Sequence, residues 1–237
     1  MNNYSGVSSA QKVYQVLYTK LMACEIHPGQ ILSKQEIAAQ FGVSQGPVRD
    51  AIIRLETEGL VNIYPQSKTV ASLIDVKQAH DIHFVRMSSE VEAGKILAKS
   101  ITDSQLRKLR IWIERQKVEV NSDDKSVFSL METNFHNQLF ELAGVKGVFS
   151  LIQAQCAHYD RIRELSVTTL HNRNESIEGH EGILESLSLK DLAKVEASIR
   201  NHLEKALSLV GELKTRFPNY FLPDLDGNRP MVLQKVS

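Results

Sequence analysis

The chain has 237 residues, 42% of them apolar and 24% charged. These are the proportions of an ordinary globular protein, with room for one large or two ordinary domains. No apolar run approaches the roughly 20 residues that span a bilayer, and the start MNNYSGVSSAQK lacks the basic and apolar segments of a secretory signal. No membrane partner and a cytoplasmic location are therefore expected. Lysines and arginines number 28 and so do the carboxylates, so composition does not make this a broadly basic nucleic-acid binder. Cys24 and Cys156 stand apart and form no disulfide framework.

Val13, Leu17 and Leu21 recur at helical spacing and predict a first helix over about 8–25, closed by the turn HPGQIL. Ser33 precedes KQEIAAQF with Glu36 three residues on, the pattern of a capping box. Gly42 ends that short helix. Ser44 then stands at the start of another, with Pro47 in its first turn, where a missing N–H costs least. Val48, Ala51, Ile52 and Leu55 follow i, i+3, i+4, i+7 and mark its buried face, and Gly59 ends it. LVNIY and TVASL read as two strands joined by PQSK.

Three helices and a β-ribbon within about 70 residues predict a winged helix-turn-helix over residues 1–73. Its third helix, about 44–58, would be free to enter a major groove. Gln45, Arg49 and Arg54 lie off the apolar face, and Lys68 stands at the wing tip, within reach of phosphate. A small helical unit whose arginines are merely solvated is the alternative. Residues 1–74 carry six lysines and arginines against five carboxylates, so DNA contact would depend on where the charges are placed.

No proline occurs between Pro65 and Pro218, which argues for long helices. Six are expected, over about 75–100, 103–121, 125–143, 145–170, 174–189 and 191–216. Asp103, Gly144 and Asp191 punctuate them. Together they would form an antiparallel bundle over residues 74–221, followed by a polar tail over 222–237. The fold class expected is mainly α.

Histidines interrupt the apolar stripes of this bundle. His202 stands in the row Leu192, Val195, Ile199, Ala206, Leu209, and His180 in the row Ile177, Leu184, Leu187. Glu132 and His136 lie one turn apart beside the seam Phe128, Phe135, Leu139. Burying such groups without partners costs free energy, and together they supply nitrogen and oxygen ligands that suit zinc, nickel or a similar divalent ion. A hydrogen-bonded polar cluster is the alternative. Arg86 and Glu90, one turn apart near apolar positions, read either as an anchor for a ligand carboxylate or as a plain ion pair. Arg161 and Arg163 read as solvated, and His80 and His83 as peripheral.

The stretch HPGQILSKQEIAAQFGVSQGPVRDAIIRLETEGLV resembles the winged-helix domain of GntR-type transcription regulators. The proline-free bundle, with ETNFH, GHEGIL and NHLEKAL, resembles the FCD effector domain of the FadR subfamily; the likeness covers about residues 10–221. It implies a homodimeric regulator that binds a DNA operator and responds to a small organic acid. It also implies a divalent metal held by Glu132, His136, His180 and His202, and DNA contacts from Gln35, Ser44, Gln45, Gly46, Arg49 and Lys68. Two departures stand out. Glu132 replaces the family's usual aspartate, and Gln45 replaces the arginine of its common Ser-Arg-x-Pro-Val-Arg sequence. A metal-dependent enzyme, a metal-free regulator and a protein-binding winged helix remain as competing readings.

Overall fold

The computed structural model describes residues 8–167 and 170–223; of the expected tail, residues 224–237 lie outside the described set. The head begins with α1 (Ser9–Met22), capped by the Ser8 hydroxyl, which accepts from the Gln11 N–H. Next come β1 (Ile31–Leu32), α2 (Lys34–Phe41) and α3 (Gln45–Thr57), then β2 (Val61–Tyr64) and β3 (Lys68–Ala71). Ser33 caps α2 as its spacing predicts, accepting from the Glu36 N–H. Gly42 closes α2 in the left-handed conformation, at φ 62°, which glycine adopts without a Cβ penalty.

The two expected strands pair antiparallel, from Val61 opposite Ala71 to Tyr64 opposite Lys68. A third was not foreseen. Ile31 and Leu32, read as part of a turn, pair with Val70 and Thr69, giving the sheet order β1-β3-β2. Two residues are too few for an alternating pattern to show. The predicted face of α3, Val48, Ala51, Ile52 and Leu55, packs with Val13, Leu17 and Leu21 of α1 in the core of the head. Each fully buried aliphatic side chain there stabilises by about 1.5–3 kcal/mol.

The expected six-helix bundle becomes eight helices among the described residues: α4 (Val76–Ser100), α5 (Asp103–Glu119), α6 (Lys125–Leu142), α7 (Lys146–Gln153), α8 (Ala157–Ser166), α9 (Leu170–Ser188), α10 (Leu192–Ser208) and α11 (Val210–Arg216). The expected helix over 145–170 is two, because its halves serve different cores. Phe149 and Ile152 of α7 join the main bundle core. Tyr159, Ile162 and Leu165 of α8 join a second cluster with Cys24, Ile74, Leu213 and Phe221. The expected helix over 191–216 likewise ends at Ser208, and α11 carries Val210 and Leu213 into the second cluster. α4 packs on α6, α8 and α10, while α9 packs on α5 and α10.

That second cluster joins head to bundle. The linker residue Ile74 is buried and forms a parallel bridge with Phe221; its N–H donates to the Tyr220 carbonyl at 2.8 Å, and its own carbonyl accepts from Leu222 at 3.0 Å. Tyr220 also stacks on His27 of the head, with its hydroxyl 2.8 Å from Nδ1. The segment after α11 therefore straps linker and head to the bundle. No helix among the described residues is long and apolar enough to cross a membrane.

Candidate metal centre and nucleic-acid interface

Three helices of the bundle bring four polar side chains to one buried point. α6 supplies Glu132 and His136, α9 supplies His180 and α10 supplies His202. One ligand atom from each lies within 4.8 Å of all the others. The His180 and His202 Nε2 atoms each stand 3.3 Å from the His136 Nε2. Glutamate in place of aspartate still reaches the group. Its two oxygens accept from Arg163 Nη2 at 2.9 Å and from the Ser176 hydroxyl at 3.1 Å.

Outer partners fix the imidazole tautomers. His136 Nδ1–H donates to a Glu90 oxygen, and His180 Nδ1–H donates to Gln116 Oε1 at 2.8 Å. Both rings therefore turn a bare Nε2 lone pair inward, and two lone pairs facing each other at 3.3 Å repel. His202 can donate one N–H, which satisfies one of them and leaves the other buried without a partner, a costly state. A divalent cation accepts all three nitrogens at once, and the carboxylate offsets its charge, so the donor set fits such an ion.

Protonation agrees with this. Burial first, with nearby cationic groups adding to it, holds His136 and His180 well below 6.5. Burial holds His202 at about 4 against the opposing pull of Glu132 and Glu90. All three imidazoles are thus neutral at pH 7, the form that binds metal. Burial alone would raise the Glu132 acid, yet Arg163 keeps it below its usual value. For Glu90, burial outweighs the pull of Arg86, 3.4 Å from its other oxygen, and raises the acid.

A cavity of about 300 Å³ opens beside the cluster, lined in part by Glu132, His136, His202, Arg86, Tyr159 and Arg163. Arg86 is on its wall. Glu90, paired with Arg86 in the expected effector contact, is not; it stands behind His136, fully buried. Arg161 and Arg163, expected in solvent, are both buried, and the Arg163 Nε–H has no partner among the described residues. Their partners, Glu132 and Ser72, are 31 and 89 residues away in sequence, which no local pattern reveals. Gln116 went unnoticed for the same reason. His80 is exposed, whereas His83 is buried and stacks on Tyr159.

In the head, Gln35, Ser44, Gln45, Gly46, Arg49 and Lys68 are all exposed. Four of them lie at the start of α3, from its cap Ser44 to Arg49. Ser44 stands at the cap position of α3 but makes no capping hydrogen bond. A Cβ on Gly46 would meet only Ser44 Oγ, at 3.9 Å, so nothing within the head requires glycine there. The Lys68 ammonium lies over the Tyr64 ring at 5.6 Å. Arg54 is exposed too but is held in place. It stacks on Tyr14 at 3.6 Å, donates to Gln11 at 2.9 Å and pairs with Glu58, clamping α3 to α1.

Two predictions follow from the cluster. A Cβ at Gly179 would collide with the His202 ring, so Gly179→Ala should push His202 aside. Zinc affinity, measured by calorimetry, should fall by at least tenfold while helicity by circular dichroism is kept. The second concerns acid. Burial, with Arg86 and His80 adding to it, holds His83 at about 4 in the folded protein, against 6.5 for a free imidazole. Below pH 6.5 the unfolded chain therefore binds more protons, so the stabilisation present above 6.5 is lost as pH falls toward 4. Urea melts should show His83→Phe flattening that loss by roughly 1–3 kcal/mol.

Residues 9–70 match the family described as "Bacterial regulatory proteins, gntR family", and residues 81–205 match the one described as "FCD domain". The HTH-type transcriptional repressor RspR of Escherichia coli K12 is 28% identical over 211 residues, covering 89% of this chain and 92% of that protein. The Nta operon transcriptional regulator of Aminobacter aminovorans is 26% identical, over 81% and 90%. The solved structure of E. coli McbR/YncC shares the fold with a TM-score of 0.71 at 18% identity, covering 87% of this chain and 98% of that one. A GntR transcriptional regulator from Rhodococcus sp. RHA1 does so with a TM-score of 0.72 at 15% identity, over 87% and 99%. These relatives are regulators, and the enzyme reading falls away. The chain belongs to the gntR family of bacterial transcription regulators, with an FCD domain behind its DNA-binding head.

Proposed function

We propose that the protein is a homodimeric, ligand-responsive repressor that acts in the cytoplasm and senses a small carboxylic acid through a metal-containing bundle. The observation that carries this reading is the pair of bare imidazole lone pairs beside an arginine-lined cavity. Glu132, His136, His180 and His202 would hold the ion, zinc or nickel by the nitrogen-rich donor set. The metal would supply a Lewis-acidic position for a ligand oxygen. Arg86, and Arg163, whose Nε–H has no partner among the described residues, would take the carboxylate, since a guanidinium matches that group in geometry and charge. In the head, Ser44, Gln45, Gly46 and Arg49 would meet the operator from the start of α3, with Gln35 and Lys68 flanking. Each protomer would read one half of a palindrome. The names of relatives, RspR and the gluconate operon transcriptional repressor of Bacillus subtilis among them, favour repression.

The test is a thermal-shift screen of small carboxylic acids with and without a chelator, followed by operator binding with each acid that stabilises. A ligand that binds the folded state raises its stability by mass action. At least one acid should raise Tm only when metal is present, and the same acid should change operator affinity. Stabilisation indifferent to chelator would favour a metal-free sensor. No stabilising acid, or one that leaves operator affinity unchanged, would sink the sensing role.

Gln45 carries a separate expectation. Glutamine matches the N6/N7 edge of adenine and arginine the O6/N7 edge of guanine, a discrimination of about 1–3 kcal/mol per contact. Selection from random DNA should give one base per half-site that switches from adenine to guanine on Gln45→Arg. The same selected site from both proteins would remove Gln45 from base recognition.

A further inference from the structure

Helix α8 has two working faces. Tyr159 and Arg163, one turn apart, line the cavity, and Arg163 is shared between Glu132 at 2.9 Å and Asp160 at 3.3 Å. His158 and Arg161 serve the linker instead. Arg161 donates from Nη1 to the Ser72 carbonyl at 2.8 Å and from Nη2 to the Ser72 hydroxyl at 3.1 Å. His158 Nδ1 accepts from the Asp75 N–H at 3.1 Å and from Arg161 Nη2 at 2.9 Å. Ser72 in turn reaches the end of the recognition helix. Its hydroxyl donates to the Gly59 carbonyl at 2.6 Å and its N–H to the Leu60 carbonyl at 2.9 Å.

Arg161 is 1% exposed and pairs with no carboxylate among the described residues. A guanidinium so deeply buried without a counter-ion stays there only while neutral acceptors hold it in a fixed geometry. Its grip on Ser72 is therefore sensitive to small displacements of α8. Arg161 and Arg163 lie about 3 Å apart along the helix axis, so a shift felt by one moves the other.

We infer that α8 couples the cavity to the DNA-binding head, with Arg161 as the positioning residue that passes a displacement of Arg163 through Ser72 to the end of α3. The inference rests on the cavity being the sensing site. A cation that draws on the Glu132 carboxylate competes with Arg163 for it, and the released arginine resets α8. The coupling needs no contact between ligand and head, only one helix with two preferred positions, which both sites bias.

Hydrogen exchange on the full chain tests this, read at the Ser72 and Asp75 amides with zinc or with chelator. In the unaltered protein zinc should change exchange at both amides. In Arg161→Met exchange there should rise about tenfold, as expected on losing hydrogen bonds to a charged group. Calorimetry should show zinc still binding that variant, and the amides should no longer respond to it. Ser72→Ala, which removes one acceptor and leaves the bundle intact, should show the same loss of response more weakly and serves if Arg161→Met does not fold. A full zinc response at Ser72 and Asp75 in these variants overturns the coupling. If zinc fails to bind the unaltered protein, the metal reading fails by itself. Arg163→Met then tests the relay from the cavity side: changed exchange at Ser72 and Asp75 supports it, and unchanged exchange ends it.

Discussion

Polar groups taken out of water must find partners, and three imidazoles at the centre of an apolar bundle impose that requirement on everything around them. Glu90 and Gln116 lie behind His136 and His180 to hold their tautomers, and Arg86 is there to hold Glu90. Arg163 answers the Glu132 carboxylate. Gly179 lacks a side chain where the His202 ring must pass. Six helices thus have their relative positions set by one polar knot, which specifies a single packing more sharply than leucines in the same places would.

A second polar knot lies where the head meets the bundle, and it works by a different logic. The first is rich in lone pairs and wants a cation. The second holds a cation already, the Arg161 guanidinium, which burial brings down to about 10 and which therefore stays charged at neutral pH. His158, held at about 4 chiefly by burial, stays neutral and accepts from both of its neighbours. Apolar packing of Ile74, Ile162, Leu213 and Phe221 surrounds this joint. The head is therefore seated on the bundle, and its angle follows from what α8 and the strap after α11 do.

Much of this was legible in the sequence because periodicity survives substitution. His180 and His202 occupy positions where leucine would fit the stripe, so the buried cluster stood out as polar residues in apolar rows. The first turn of α3 was legible for a similar reason, since glycine, serine and proline leave little choice of backbone. The break between α7 and α8 was hidden, because no glycine or proline marks Ala154–Cys156 and only the competition of two cores decides it. The buried arginines were hidden too. Arg161 and Arg163 look like surface residues until the chain brings Ser72 and Glu132 to them. Arg54 lies off the apolar face and is exposed as expected, but its stacking on Tyr14, 44 residues from the Glu58 it also pairs with, has no local signal.

The uncapped start of α3 bears on how the head holds DNA. Ser44 leaves the first N–H groups of α3 without its hydroxyl, and such groups, with the positive end of the helix dipole, suit a phosphate. Were a head with nearly as many carboxylates as cations to grip the backbone through these amides and the dipole, it would displace few condensed counterions on binding. Its operator affinity should then fall gently with rising salt, by a smaller logarithmic slope than a lysine-rich head would show.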